Sequence, residues 1–336
     1  MTTTDLSIII VNWNSIGFLR NCVKSLRETV LGPTYEIIVI DNVSERDNSR
    51  QALTEEPEFK DVRVLLPDTN LGFVRANNLG AKYARGKVLL FLNPDTLALE
   101  GAIDRLYAAL EEDPSRGITG ARQLYPDGTL QTPCVQPFPT LANQFLSIDA
   151  LRNKWPTLPL WGIEVLYREP AIYEVDSVSG ACLMIRREAF DQIGGFSQDY
   201  FMYAEETDLC YFARRAGWKV CHVGTATIIH FAGQSTAHTQ SSNTFVEVLI
   251  RESTHTLMTK IHGPAYAFLY RCGMLASALL RIIPLGIPAL LGHARSRAIC
   301  NKWGVVAKWA VGMEKWPQKL VSEADQAFRG GTVEEV

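Results

Sequence analysis

Residues Val88–Thr96 read VLLFLNPDT. The first five are apolar and uncharged, the length of a strand buried on both faces, and Asn93-Pro94-Asp95 closes the run as a turn. Pro94 has no N–H to give to a ladder, so the strand stops there and the next side chain leaves the sheet. Asp95 is thereby delivered to the carboxyl end of a central strand, the rim where open α/β sheets bind ligands. No basic residue stands beside it. Such a carboxylate suits a divalent cation, or a nucleotide phosphate handled through one.

Outward from this stretch the sequence alternates between two periods. Leu6–Asn12, Tyr35–Asp41, Val62–Leu66 and Val88–Leu92 are short and rich in Ile, Val and Leu, as strands are. Ser15–Thr29, Ser49–Glu55, Phe73–Ala84 and Leu99–Glu112 carry helical patterns. Strand–helix alternation predicts an α/β fold with a mostly parallel sheet built from right-handed crossovers. All strand ends then face one rim, and the polar clusters Asn12-Trp13-Asn14, Asp41-Asn42 and Asn93-Pro94-Asp95 converge there. That is the geometry of a nucleotide site. GxGxxG and GxxxxGK[ST] are both missing, which speaks against a dinucleotide site and a P-loop.

Asn70–Gly80, NLGFVRANNLG, opens a helix. Asn70 is a suitable N-cap, and the backbone N–H groups after it are open to an anion. Asn77 and Asn78 are poor filler inside a helix, which favours a role beyond shaping a turn. Arg75 is either a surface charge or a phosphate contact. Tyr173–Arg186 reads as a strand with Gly180 at a close backbone approach. Tyr200–Gly217 reads as a loop entering a helix whose first turn holds Glu205, Glu206 and Asp208. The helix dipole stabilises a carboxylate there by roughly 0.3–1 kcal/mol, enough to explain one or two. Three within four positions repel one another, and none has Lys or Arg at i+3 or i+4, so a chemical role is favoured. Val220–His230 holds two short strand-like runs, and His230 leads into the small polar stretch Phe231-Ala232-Gly233-Gln234-Ser235.

The 336 residues can bury a large core, and 21% charged residues with a net charge of −3 give no field favouring nucleic acid. Seven cysteines, without CxxC or Cys/His metal spacing, speak against a disulfide framework. Met1–Asp5 reads as a short polar lead-in rather than a signal peptide, which points to a cytoplasmic enzyme.

The ordered set VNWN, IDN, NLGFVRANNLG, FLNPDT, SGACLMIRR, GGF, YFMYAEETDLC, ARRAGW and HFAGQS resembles inverting glycosyltransferases of family 2 with the GT-A fold. Within that family the likeness is to bacterial rhamnosyltransferases and related polysaccharide and cell-wall enzymes, over about Leu6 to Lys260. The resemblance implies a nucleotide-sugar donor, dTDP- or UDP-linked, held by Val11, Asn12, Trp13, Asn14 and Asp41, with Asn70, Arg75, Asn78 and Asn93 on the same side. Asp95 matches the last acid of the DxD metal motif, reduced here to Asn93-Pro94-Asp95. His230 matches the position that completes the metal or diphosphate site, with Mg²⁺ or Mn²⁺ as the ion. Glu206 matches the general base, beside Glu205 and Asp208, and Gly180, Ala181 and Trp218 lie on the acceptor side. The implied acceptor is a glycan or a polyprenyl-diphosphate-linked glycan.

These readings divide the chain into a catalytic domain, 1–263, with a donor half (1–124) and an acceptor half (125–263), and a C-terminal helical segment, 264–336. In that segment Ala265–Gly292 is apolar but broken by Pro284 and Pro288, too short in any one run to span a bilayer. His293–Lys319 interleaves Arg295, Arg297, Lys302, Lys308 and Lys315 with Trp303, Trp309 and Trp316. That pattern predicts either a helix lying in a membrane interface, on the inner face of the plasma membrane, or a bundle packed on the catalytic domain or on a second subunit. Two rival functions share the fold. A nucleotidyltransferase needs a basic, Gly-rich N-terminal signature where this chain has VNWN, and a non-catalytic nucleotide-sugar or glycan-binding protein does not need the acid cluster.

Overall fold

The computed structural model describes residues 4–146, 154–232 and 242–336. Its strands are β1 (Leu6–Asn12), β2 (Tyr35–Asp41), β3 (Arg63–Pro67), β4 (Val88–Leu92), β5 (Thr96–Ala98), β6 (Arg116–Leu124), β7 (Val135–Gln136), β8 (Ile172–Glu174), β9 (Ser177–Val178), β10 (Cys182–Arg186), β11 (Lys219–His230) and β12 (Val333–Glu335). The α-helices are α1 (Ile16–Thr29), α2 (Ser49–Glu55), α3 (Gly72–Tyr83), α4 (Ala102–Glu112), α5 (Leu141–Phe145), α6 (Arg187–Ile193) and α7 (Glu205–Arg215), then α8 (Ser242–His262), α9 (Pro264–Leu290), α10 (Ala294–Ala310) and α11 (Trp316–Gly330).

The main sheet runs β12-β3-β2-β1-β4-β10-β6-β11-β5, with β8 paired to β11. β1 is parallel to both β2 and β4, and Leu6 sits beside Tyr35 on one side and Val88 on the other. This common phase brings Asn12 beside Asp41 and ends β4 on the same rim. Ile8, Ile10, Val39 and Leu90 pack under α1 and α4, while Ile9, Ile38, Leu89 and Phe91 pack under α3 and α6. Both faces are covered, which is why these strands read as unbroken apolar runs.

Two strands differ from the sequence reading. Tyr173–Arg186 is three strands, not one, because its parts take different partners: β8 pairs with β11, β9 with β7, and β10 with β4 and β6. Val220–His230, expected as two runs, lies in one strand with a register shift between Val223 and Thr227. Gly224 sits at the shift, where a Cβ would come 3.1 Å from the Ala171 backbone.

The C-terminal segment differs more. α9 runs unbroken through Pro284 and Pro288. The two prolines forfeit their own i→i−4 bonds, and upstream of them Ala267, Tyr270, Met274 and Ala278 anchor the helix in a core shared with α8 and α10. The tryptophans expected in a membrane interface pack on the bundle, Trp309 in its interior and Trp303 and Trp316 half-buried against it. Trp309 is 0% exposed and donates from Nε1 to Glu252 at 2.6 Å, and Trp316 stacks on Phe245 with centroids 4.6 Å apart. Arg281 lies over Trp303 at 4.2 Å, and Lys302 pairs with Glu247. The chain then returns to the catalytic sheet: β12 adds antiparallel to β3, covering an edge strand.

Candidate active site

The donor rim is wired before any ligand arrives. Asn12 donates from Nδ2 to Asp41 Oδ1 at 2.9 Å, and Ser44 Oγ donates to the same oxygen at 2.6 Å. Asn14, in the left-handed region at φ 51°, accepts from the Glu45 and Arg46 amides at 3.0 and 2.9 Å, folding the 44–46 turn against β1. Asp41 Oδ2 takes only a long 3.3 Å bond from the Ser44 amide, and Asn12 Oδ1 is buried without a partner. These two oxygens are the free acceptors of the rim. Val11 precedes them in β1, and Trp13 is half-buried beside them.

At the next strand end the register of β11 against β5 sets His230 opposite Thr96. His230 Nε2 thus comes 3.4 Å from Asp95 Oδ1, and Asn93 Nδ2 is 3.4 Å from the same nitrogen. Gln131 decides the imidazole tautomer. Its Nε2 donates to the His230 carbonyl, which turns its Oε1 to His230 Nδ1 at 3.0 Å. An amide oxygen can only accept, so Nδ1 carries a proton and Nε2 is the ring nitrogen turned to Asp95. A histidine held this way, with its second nitrogen donating to an amide, is the usual form of a metal ligand. The described residues hold no group of three His, Cys, Asp or Glu suited to a metal. A carboxylate oxygen and an imidazole nitrogen fit Mg²⁺ or Mn²⁺ only as part of a set that a phosphate ligand completes. Gly233, Gln234 and Ser235 lie outside the described residues.

The acid cluster enters from α7. Tyr203 and Ala204 have φ of 72° and 65°, two successive left-handed residues without glycine, just before Glu205. Strain of this kind persists only where the surroundings enforce it. Both Glu205 and Glu206 are buried. Burial drives Glu205 well above the usual carboxylate range, and the neighbouring Glu206 charge adds to it. Burial also raises Glu206, against a 3.4 Å hydrogen bond from Gln136 Nε2 to its Oε1. Glu205 Oε2 has no partner. A Cβ on Gly180 would meet Glu206 Cβ at 3.5 Å, and the next carbonyl, of Ala181, accepts from the Asn93 amide at 3.0 Å. One turn therefore bridges the acid cluster and the Asp95 loop.

Five expected site residues are engaged elsewhere. Asp208 accepts from Tyr200 Oη and from Lys260 Nζ, each at 3.0 Å, so its cation comes from α8 rather than from its own helix. Asn70 is not the N-cap of α3; Leu71 is, and the helix N-terminus is already filled. The Leu71 amide donates to Asn42 Oδ1 at 2.8 Å, that of Gly72 to Asn70 Oδ1 at 2.9 Å, and that of Phe73 to the Phe201 carbonyl at 3.1 Å. Gly72 has φ 72°, and a Cβ there would strike the Phe201 ring at 2.7 Å. Asn78 exchanges two hydrogen bonds with the Phe196 backbone, at 2.8 and 3.0 Å, latching the Gly194-Gly195-Phe196 turn to α3. Arg75 is 1% exposed, donates to the Gln198 carbonyl at 3.0 Å and pairs with Asp325 of α11 at 3.5 Å. Trp218 precedes β11 beside Arg116, which bonds Arg186 opposite Val88; it stands at the rim away from Asp95 and donates to Gln192 at 2.7 Å. Gln131 was missed: nothing in a lone glutamine 99 residues from its histidine marks it.

The sequence profile described as Glycosyl transferase family 2 matches residues 7–194. The chain belongs to glycosyl transferase family 2. It is 30% identical over 257 residues to an N-acetylglucosaminyl-diphospho-decaprenol L-rhamnosyltransferase of Mycobacterium tuberculosis, covering 72% of this chain and 80% of that one. To the rhamnosyltransferase WbbL of Escherichia coli K12 it is 29% identical over 170 residues, 48% of this chain and 61% of that one. Among solved structures, the mannosyltransferase PcManGT of Pyrobaculum calidifontis, in complex with GDP-Man and Mn²⁺, superposes with a TM-score of 0.56 at 14% identity, over 93% of this chain and 87% of that one. The fold of this family 2 glycosyltransferase is accordingly GT-A, as the sequence resemblance implied, and its relatives include rhamnosyltransferases.

Proposed function

We infer that this glycosyltransferase transfers a sugar, L-rhamnose from dTDP-rhamnose, to a glycan or polyprenyl-diphosphate-linked glycan with inversion at the anomeric carbon. The observation that carries this reading is the Gly180–Ala181 turn. It packs on Glu206 at one end and bonds the Asn93 backbone at the other, which supports reading the two as a base and a diphosphate site joined by one short loop.

Asp41 Oδ2 and Asn12 Oδ1 accept from the ribose and base, with Trp13 flanking them. Asp95 and His230 would hold Mg²⁺ or Mn²⁺, which when bound neutralises the charge growing on the departing diphosphate. Glu206 takes the proton from the acceptor hydroxyl as that oxygen bonds to the anomeric carbon. The bond from that carbon to the diphosphate oxygen breaks in the same displacement, and the nucleoside diphosphate leaves with the electron pair. Attack opposite the leaving group inverts the centre, the logic by which inverting glycosidases place a base against water. Burial suits the role, since a carboxylate with a raised pKa is the stronger base. Glu205 supports the pair, and Asp208 holds α7 to α8. The decaprenol-linked substrate in the name of the mycobacterial relative supports a lipid-linked acceptor, and hence a protein working peripherally at the inner face of the plasma membrane.

The test is donor screening by ligand-induced thermal stabilisation, comparing dTDP-rhamnose with UDP-glucose and UDP-GlcNAc, each with and without Mn²⁺. The expected result is Mn²⁺-dependent stabilisation by dTDP-rhamnose, followed by a product of opposite anomeric configuration. Selective response to a UDP-sugar replaces rhamnose as the donor. Binding without turnover of any donor makes the protein a binding module.

A further inference from the structure

The helix α9 is amphipathic in the wrong sense for a soluble protein. One face, with Tyr270, Met274 and Ala278, is buried in the bundle core. The other face is just as apolar and lies open: Phe268, Leu269, Leu280, Ile283, Ile287 and Leu290, the last four 74%, 72%, 71% and 87% exposed. From Phe268 to Leu290 this stripe extends for about 33 Å along α9. Soluble monomers rarely leave an apolar patch of that extent uncovered.

Charge identifies what covers it. From Ser253 to Met313 there is no Asp or Glu and there are seven Lys and Arg, of which Lys260 and Lys302 pair with acids outside the segment and five remain, in a chain whose net charge is −3. α9 and α10 form an antiparallel hairpin, with Arg271 bonded to the Ala310 carbonyl at 3.1 Å and Cys300 beside Ile282. This register carries Arg295 and Arg297, both exposed, alongside the last turns of α9. A second copy seated on the same stripe would set basic flank against basic flank. An anionic lipid surface complements both the stripe and the flank.

The prolines set the depth. Pro284 and Pro288 cannot donate to the Leu280 and Pro284 carbonyls, and α9 is committed to the bundle along its other face. α9 is long and apolar enough to cross a bilayer, but with one face packed on the bundle it offers lipid only the other, and the headgroup boundary supplies water to the carbonyls that lack a helical donor. We propose that α9 is the membrane-docking surface of this protein, lying in the plane of an anionic bilayer with Leu280, Ile283, Ile287 and Leu290 immersed at the interface and Arg295 and Arg297 on lipid phosphates. The proposal rests on the reading that the acceptor is lipid-linked, and it moves the contact from the Trp-bearing α10 to α9.

The test is flotation of the full chain with vesicles of phosphatidylethanolamine and phosphatidylglycerol, against vesicles of phosphatidylcholine alone. Expected is binding to the anionic vesicles, weakened tenfold or more in Leu280→Gln/Ile283→Gln/Ile287→Gln. In Arg295→Gln/Arg297→Gln binding should fall roughly fivefold per charge and lose its salt sensitivity in proportion. Donor-induced thermal stabilisation, which does not involve this surface, checks that the variants are folded and separates failure of docking from failure of the proposed activity. The proposal is overturned by wild type that ignores anionic vesicles, by variants that bind as wild type does, or by a dimer in sedimentation that the triple variant dissociates. Extraction from membranes by detergent alone, with alkaline carbonate ineffective, also overturns it, in favour of an embedded helix.

Discussion

The two ends of the candidate site are built on opposite principles. On the donor side the side chains are oriented before the substrate comes: Asp41 by Asn12 and Ser44, His230 by Gln131, with the Asn93 backbone tied to the Ala181 carbonyl. On the acceptor side Glu205 and Glu206 are buried side by side on a strained turn, with one long hydrogen bond from Gln136 between them. A preorganised rim loses little on binding an anion through a cation. An under-solvated carboxylate pair is poised instead to accept a proton. Asp208 sharpens the contrast, because the same helix turn holds a third acid that is neutralised by Lys260 and so anchors rather than reacts.

The contrast breaks most severely at Asp95. Asp95→Ala should bring transfer to background and abolish Mn²⁺-dependent donor stabilisation while leaving the circular dichroism spectrum unchanged, and EDTA should inhibit the wild type. Full activity in EDTA removes the ion from the chemistry and leaves Asp95 a donor contact. Glu206→Gln is next: turnover should fall by roughly 10²–10⁴-fold with donor affinity retained, the signature of a lost general base. If Glu205→Gln is the crippling change and Glu206→Gln the mild one, the base lies one residue earlier.

Gln131→Ala probes the donor side through its support. With the tautomer released, Mn²⁺ affinity measured by electron paramagnetic resonance in the presence of donor should drop roughly 10–100-fold. Unchanged affinity would show that His230 needs no such partner. The smallest effect is on stability. The folded-state pKa of Glu205 is raised, so between its ordinary value near 4.5 and that raised value the folded chain holds a proton the unfolded chain has lost. Stability therefore falls as pH rises through this window. Glu205→Gln should flatten that loss and raise Tm at pH 8 more than at pH 5, by about 1–2 °C for each kcal/mol relieved. Equal shifts at both pH values would refute the buried charge as the cause.

Local periodicity was enough for the first half of the chain. β1, β2 and β4 start and stop where the apolar runs do, because an apolar strand ended by Asn, Asp or Pro has few other solutions. Asp95, His230 and Glu206 were legible as types at strand and helix ends. The rest was not, because its cause lies in distant partners. Tyr173–Arg186 splits according to which strand each part meets, and α9 continues through Pro284 and Pro288 although its packed core residues lie in its first half. Arg75 and Asn78 look like ligand residues until Asp325 and the Phe196 backbone are placed against them.

The sequence by itself determined the parallel order of β1 to β4, the polar rim and the family, whereas β5, β8, β10 and β12 join the sheet antiparallel. It did so because strand ends, turn residues and motif spacing are encoded within a few positions of one another. Only the tertiary structure decided that His230 faces Asp95 through Gln131, that Asp208 belongs to Lys260, and that α9 rather than α10 turns its apolar side outward. Each of those outcomes depends on a partner between 52 and 135 residues away, or on which of two apolar faces the bundle happens to cover.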